Sequence, residues 1–194
     1  MNILKSSIVV AALFAATLSN AQEARYELKS AIIKCEMTTQ GIKMTGTQYF
    51  DNYGQKEAAL MVAETPMGKT EIKSLQFSDT TYSINMAQKV GQKIIAPEKP
   101  INYLNLTPET IEKYSIKELG EETIAGKLCK KYSVQMTQAG QTVNGEVSVW
   151  KGIVLKSTMS LGMVEILNQT AVEIQENVEI APSTFEVPEG VVIM

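Results

Sequence analysis

The sequence predicts one mainly-β domain folded as an antiparallel meander with short helices, and three observations predict it. Apolar and polar residues alternate with period two through about ten runs; Gly, Pro, Asn and Asp cluster between the runs; and the alternation stops once, between residues 87 and 114, where a short helix is signalled. With 194 residues, 44% of them hydrophobic and 20% charged, the chain has the balance of one globular domain and not of a disordered one.

The first segment, residues 1–21, reads as a secretory signal peptide: a cationic Lys5, an apolar run from Ile8 to Leu18, then Ser19 and Ala21 as small residues before a cleavage point after Ala21. That run is much shorter than the roughly 20 residues that span a bilayer, and no other stretch approaches that length, so no membrane span is expected. No cysteine stands at the junction to carry an acyl anchor. Residues 22–194 are expected to form the single domain, exported and soluble.

Within it, Ala31, Ile33, Cys35 and Met37 alternate with Ser30 and Ile32 as a first strand, and Gln40-Gly41 turns it into a second that carries Ile42, Met44, Gly46 and Gln48. Asp51-Asn52-Tyr53-Gly54 is a turn, and Ala58–Ala63 is apolar on both faces, which predicts an interior strand covered on each side. Pro66-Met67-Gly68 and Ser78-Asp79 turn the chain about Thr70–Phe77 and into Thr81–Met86. From 87 to 114, Pro97, Pro100 and Pro108 without alternation predict loop and a little helix. Thr107 is a good N-cap, Pro108 suits the first helical position and Glu109 favours the dipole, so a helix runs from 108 to about 114 with Ile111 and Tyr114 as its apolar edge.

The meander then resumes. Ser115–Glu121 leads to the Ala125-Gly126 corner; Leu128, Lys130, Tyr132, Val134 and Met136 share one face; Gln138-Ala139-Gly140 turns the chain back through Val143, Val147 and Val149 to Trp150. Lys151-Gly152 is the centre of a tight hairpin into Ile153, Leu155, Ser157 and Met159. After Gly162, the residues Val164, Ile166, Val172 and Ile174 read as one apolar row, and Pro182–Pro188 as an irregular tail returning Phe185 and Val187 to the body.

Composition narrows function. The chain has no histidine, which removes Ser/His and Cys/His nucleophiles, imidazole bases and His-ligated metals. A pI near 5.2 and no basic run longer than Lys130-Lys131 argue against nucleic acid. Cys35 and Cys129 are an even pair in an exported chain, where a disulfide is the default; yet Cys35 alternates with apolar and Cys129 with polar neighbours, so the bond stays open. Glu121-Glu122 point to opposite faces of a strand, and Asp51, Asn52 and Asp79 are turn formers before they are ligands. No catalytic residue, cofactor or metal is expected.

The stretch Gly120-Glu121-Glu122-Thr123-Ile124-Ala125-Gly126-Lys127-Leu128-Cys129-Lys130-Lys131-Tyr132, with Val147-Ser148-Val149-Trp150-Lys151, Ile153-Val154-Leu155-Lys156 and the ending Pro182-Ser183-Thr184-Phe185-Glu186-Val187-Pro188-Glu189-Gly190, resembles bacterial exported domains of the LolA/LolB-like superfamily. The resemblance implies a curved antiparallel sheet, an incomplete barrel closed by short helices over an apolar cavity, in the periplasm of a Gram-negative envelope. In the founding members that cavity holds lipoprotein acyl chains; the arginine the founding carrier uses there has no match, Arg25 being the one arginine here. Met37, Met44, Met61, Met86, Met136, Met159 and Met163 fall on expected strands, and unbranched thioethers suit an adaptable apolar pocket as well as ordinary core. The candidate cavity residues are therefore Met61, Ile111, Tyr114, Tyr132, Val134, Met136, Val164, Ile166, Val172 and Ile174. The function expected is a non-enzymatic carrier of acyl chains or other apolar moieties; the alternative is a packed envelope module that contacts a protein by a strand edge.

Overall fold

The computed structural model describes residues 23–65, 68–77, 80–95, 100–138 and 140–194; the segment expected to be a signal peptide, the turns at Pro66-Met67 and Ser78-Asp79, Pro97 and Ala139 lie outside the described residues. The described residues contain β1 (Ala31–Thr39), β2 (Ile42–Asp51), β3 (Lys56–Thr65), β4 (Gly68–Phe77), β5 (Thr80–Asn85) and β6 (Val90–Ile95), then α1 (Pro108–Lys113). After it come β7 (Lys117–Ile124), β8 (Lys127–Gln138), β9 (Gln141–Trp150), β10 (Ile153–Leu161), β11 (Val164–Glu176) and β12 (Val192–Ile193). All twelve belong to one open sheet in the order β12-β6-β5-β4-β3-β2-β1-β11-β10-β9-β8-β7. It is two meanders, β1–β6 and β7–β11, joined where β1 pairs antiparallel with β11.

Turn chemistry sets the register. Gln40-Gly41, Ala125-Gly126 and Lys151-Gly152 all hold positive φ at both residues, the two-residue turn whose twist matches that of the strands it joins. At Gly152 space matters as well, because a Cβ there would collide with the carbonyl oxygen of Arg25 and lie 2.8 Å from Leu104 Cγ, whereas Gly126 has open space around it. Thr107 caps α1, its Oγ1 accepting from the Thr110 amide at 3.2 Å.

The two faces of the sheet are covered unequally. On the first meander, residues 177–193 cross one face and build a core of Ala58, Leu75, Ile84 and Phe185, with Ile180, Val191 and Ile193 against it. On the second, residues 101–116 lay Ile101, Tyr103, Leu106, Tyr114 and Ile116 onto Tyr132, Val134, Val147 and Val149, with the Tyr103 and Tyr132 rings stacked at 5.9 Å. A third cluster of Leu28, Ala31, Ile33, Phe50, Ile124, Cys129, Ile153, Leu155 and Ala171 ties the two halves together.

Two expectations are corrected. Residues 90–95, read as loop, form β6: Val90–Ile95 lacks alternation because it lies near the sheet's edge, paired by β5 and by the two-residue β12, so backbone bonds define it where side chains do not. Cys35 and Cys129, whose pairing the sequence leaves open, both stand free and buried, with β11, β10 and β9 between their strands. Finally, Val164, Ile166, Val172 and Ile174 do not make one row. The register with β10 skips Ile166 and the register with β1 skips Val172, and each skipped residue is a bulge that resets the alternation.

Two outcomes are expected. Gly126→Ala should lose about 1–2 kcal/mol for left-handed backbone alone, and Gly152→Ala a further 1–3 kcal/mol or so for overpacking, both read from urea unfolding. Burial pushes both thiols above the ordinary cysteine pKa, so both should resist a thiol reagent in the native protein and react together once it is denatured without reductant.

Candidate ligand-binding site

Cross-strand pairing fixes what lies on the inner face. Ile33, Gln48, Ala59, Ser74 and Ser83 are successive partners from β1 to β5 and so form one row. Ala31, Phe50, Glu57, Gln76 and Thr81 form the next row, and Cys35, Gly46, Met61 and Ile72 another on its far side. Side chains two residues apart on a strand share a face, so all three rows look the same way.

That face encloses space. A cavity of about 260 Å³ is lined by Tyr26, Ile33, Gln48, Tyr49, Phe50, Glu57, Ala58, Ala59, Ser74, Gln76 and Thr81 from the first meander and by Ile153 and Val154 from β10. Five strands separate β10 from β5 in the sheet, so a cavity that both of them line requires the sheet to curl round. The bulges supply the bend: registers slip at Lys34/Cys35, Glu118/Gly120, Val154/Lys156 and Met159/Ser160, all in the seam or the second meander.

The N-terminal segment closes one end. Arg25 Nη1 donates to Glu57 Oε1, the Tyr26 hydroxyl donates to the same oxygen at 3.1 Å, and the Tyr26 ring meets Phe50 at 4.5 Å. Amides of Arg25 and Tyr26 both reach the Tyr53 carbonyl, which pins the segment to the turn before β3. Burial raises the Glu57 carboxyl above the usual glutamate range against the pull of the Arg25 cation, and burial, then Glu57, raises the Tyr26 phenol. Arg25 Nε is buried without a hydrogen-bond partner among the described residues.

The residues singled out from sequence are dispersed. Tyr114, Tyr132 and Val134 come together, but in the layer where Tyr114 and the rest of residues 101–116 pack on β8, the Gln135 amide donating to the Tyr114 carbonyl at 2.7 Å. Met136 continues that row opposite Val143. Met61 lies on the inner face of the first meander, its Sδ folded over the backbone of Gly46. Ile174 packs on the central cluster, Ile166 occupies a bulge, and Val164, Val172 and Ile111 are 65%, 51% and 40% exposed. None of the ten lines the cavity between β1–β5 and β10. Its polar lining, Gln48, Ser74, Gln76 and Thr81, escapes sequence reasoning because polar members of an alternating strand read as the solvent side. The one available signal is Ala58–Ala63, apolar on both faces.

The Arg25–Glu57 pair generates a pH prediction. A carboxyl whose folded pKa is raised binds its proton more readily in the folded state, so its ionisation costs stability above that pKa, and costs more without Arg25. With the two side chains 22% and 23% exposed, Arg25→Ala should destabilise by about 2–3 kcal/mol near pH 7.5, below the figure for a fully buried pair. The deficit should narrow as the pH falls and Glu57 takes up its proton; urea unfolding across an acidic-to-neutral series checks this, and a pH-independent deficit contradicts it.

No family model and no curated protein matches the chain. Solved structures share its fold. An uncharacterized conserved protein from Thermus thermophilus superposes with a TM-score of 0.57 at 6% identity, over 87% of this chain and 91% of that one. MucB superposes at 0.54 and 13% identity over 87% and 60%, and MucB in the Pseudomonas aeruginosa MucA/MucB complex at 0.53 and 13% over 84% and 57%. The chain thus spans about three fifths of MucB's length. At these identities the likeness is one of fold: an open, curved antiparallel sheet.

Proposed function

We propose that this chain is an exported binding protein of the bacterial periplasm, a carrier and not an enzyme, that shelters an acyl chain or another apolar moiety on the inner face of its half-barrel. The observation that carries the reading is the cavity spanned by both arms of the sheet, with Ile33, Phe50, Ala59, Ile153 and Val154 as its apolar walls. At about 260 Å³ it falls just below the range of drug-sized ligand pockets, roughly 300–1,000 Å³. The same face runs on past Cys35, Met61 and Ile72, giving a chain longer than the cavity an apolar path. Of the residues selected from sequence, Met61 belongs to this open stretch, while Tyr114, Tyr132 and Val134 hold down the covering segment. No helix among the described residues is long and apolar enough to cross a membrane.

A second reading has its own observation. β7 ends the sheet, so its outer backbone groups face no further strand, and MucB, which has this fold, is solved in complex with MucA. An envelope protein docked along β7 follows the strand-addition mode.

Native mass spectrometry of protein purified from its own envelope, with lipid analysis of what leaves it, separates the two. A co-purifying apolar species in near-stoichiometric amount is expected, and Ala59→Trp, which fills the cavity, should weaken binding of a neutral naphthylamine fluorophore about tenfold or more while the fold persists. A bare mass after challenge with monoacylglycerols, fatty acids and phospholipids overturns the carrier reading and favours the protein partner; unchanged affinity in folded Ala59→Trp removes this cavity from the site.

A further inference from the structure

We infer that the ligand of this cavity bears an uncharged hydrogen-bonding group, an amide, ester or hydroxyl, and not a free carboxylate or phosphate. The inference rests on the carrier reading. Its basis is how charge is sorted between the two faces of β1–β6. By register Lys34 and Lys73 share a row with Thr47 and Leu60, on the face away from the cavity. Lys43, Lys56, Lys69 and Lys93 alternate with Met44, Glu57, Thr70 and Gln92 of the inner face and so join them outside. Lys73 is held there by the tail, donating to the Glu186 carbonyl at 2.8 Å. The acidic residues of these strands sort likewise, leaving Glu57 as the one charged side chain on the inner face among the described residues.

Glu57 is already engaged by Arg25 and by the Tyr26 hydroxyl, all through one oxygen. An anionic head in the cavity would therefore lie beside a carboxylate that already holds the nearby cation, Arg25, with no lysine within the lining to offset it, and like charges in a partly desolvated site oppose each other. A bare hydrocarbon is also a poor match, since it would bury the amides of Gln48 and Gln76 and the hydroxyls of Ser74 and Thr81 without partners. Carboxamides and hydroxyls each both donate and accept, so they can donate to an ester and both donate to and accept from an amide or hydroxyl.

The test is a set of probes with one twelve-carbon chain and different heads: monolauroylglycerol and lauroyl ethanolamide against laurate and dodecyl phosphate, each displacing the neutral naphthylamine fluorophore at about pH 7.5. The neutral probes should bind about tenfold tighter than laurate or more. Gln48→Leu with Gln76→Leu should bring the two classes to within about threefold in a variant whose near-ultraviolet spectrum is native. Glu57→Gln, which frees the Arg25 cation, should raise laurate affinity about tenfold. Laurate binding as tightly as monolauroylglycerol to the wild type overturns the inference and leaves the carrier reading standing; failure of every probe to displace the fluorophore overturns both.

Discussion

Everything in this molecule depends on the pairing of β1 with β11. Each meander is local, its strands joined by short turns to their sequence neighbours, but nothing local joins the two halves. The seam runs from Ala31 opposite Glu176 to Thr39 opposite Leu167, and side chains reinforce it along its length. Ser30 Oγ donates to the Val178 carbonyl at 2.6 Å, Lys34 pairs with Glu173 at 2.7 Å, and Thr39 Oγ1 donates to the Ile166 carbonyl at 3.0 Å. Contacts between residues so distant in sequence carry the loop-closure cost of the fold, which makes the seam the slow step to expect in folding.

The seam also sets the shape. Its bulge at Val172 and the bulges of the second meander add twist on one side of the sheet, while the pairings of β2 through β6 run without a slip. A sheet regular on one arm and bulged on the other curls toward the bulged side, and this brings Ile153 and Val154 across from Ser74 and Thr81. The cavity is a consequence of where the bulges fall more than of any one side chain that lines it.

This explains what is legible in the sequence. The hairpin at Lys151-Gly152, the capped helix after Thr107 and the turn at Asp51–Gly54 are written in local chemistry, and local chemistry holds there; the doubly apolar strand after it is interior to the sheet but covered on one face only. The apolar row through Val164 and Val172 fails because a bulge leaves no local mark: Val172 is as β-prone as its neighbours, and only its partner strand decides that it is skipped. The cavity escapes for a related reason. Period two separates polar from apolar rows, but says nothing of which row a curled sheet encloses, so Gln48, Ser74 and Gln76 read as outward-facing residues. Arg25 lies before the first predicted strand, and its partner Glu57, 32 residues on, carries no signal that links them.

The two arms use one local device with different outcomes. In each, a glycine of a middle strand lies under a methionine of the next, Gly46 under Met61 and Gly145 under Met159, with the Sδ where the missing Cβ would be. A strand glycine lets another group approach the backbone closely, and the thioether is the side chain best able to lie flat in that space. On the second arm Tyr103, Leu106 and Tyr114 come down beside Met159 and the arm becomes core. On the first, the N-terminal segment reaches only the end of the face, through Tyr26 and Arg25. The tail, which could have served as a second cover, is committed to the opposite side by Phe185. The inner face of β3–β5 thus stays open because the described chain has one covering segment for two arms, and the charge that could have kept water in that opening has been moved, lysine by lysine, to the other side of the sheet.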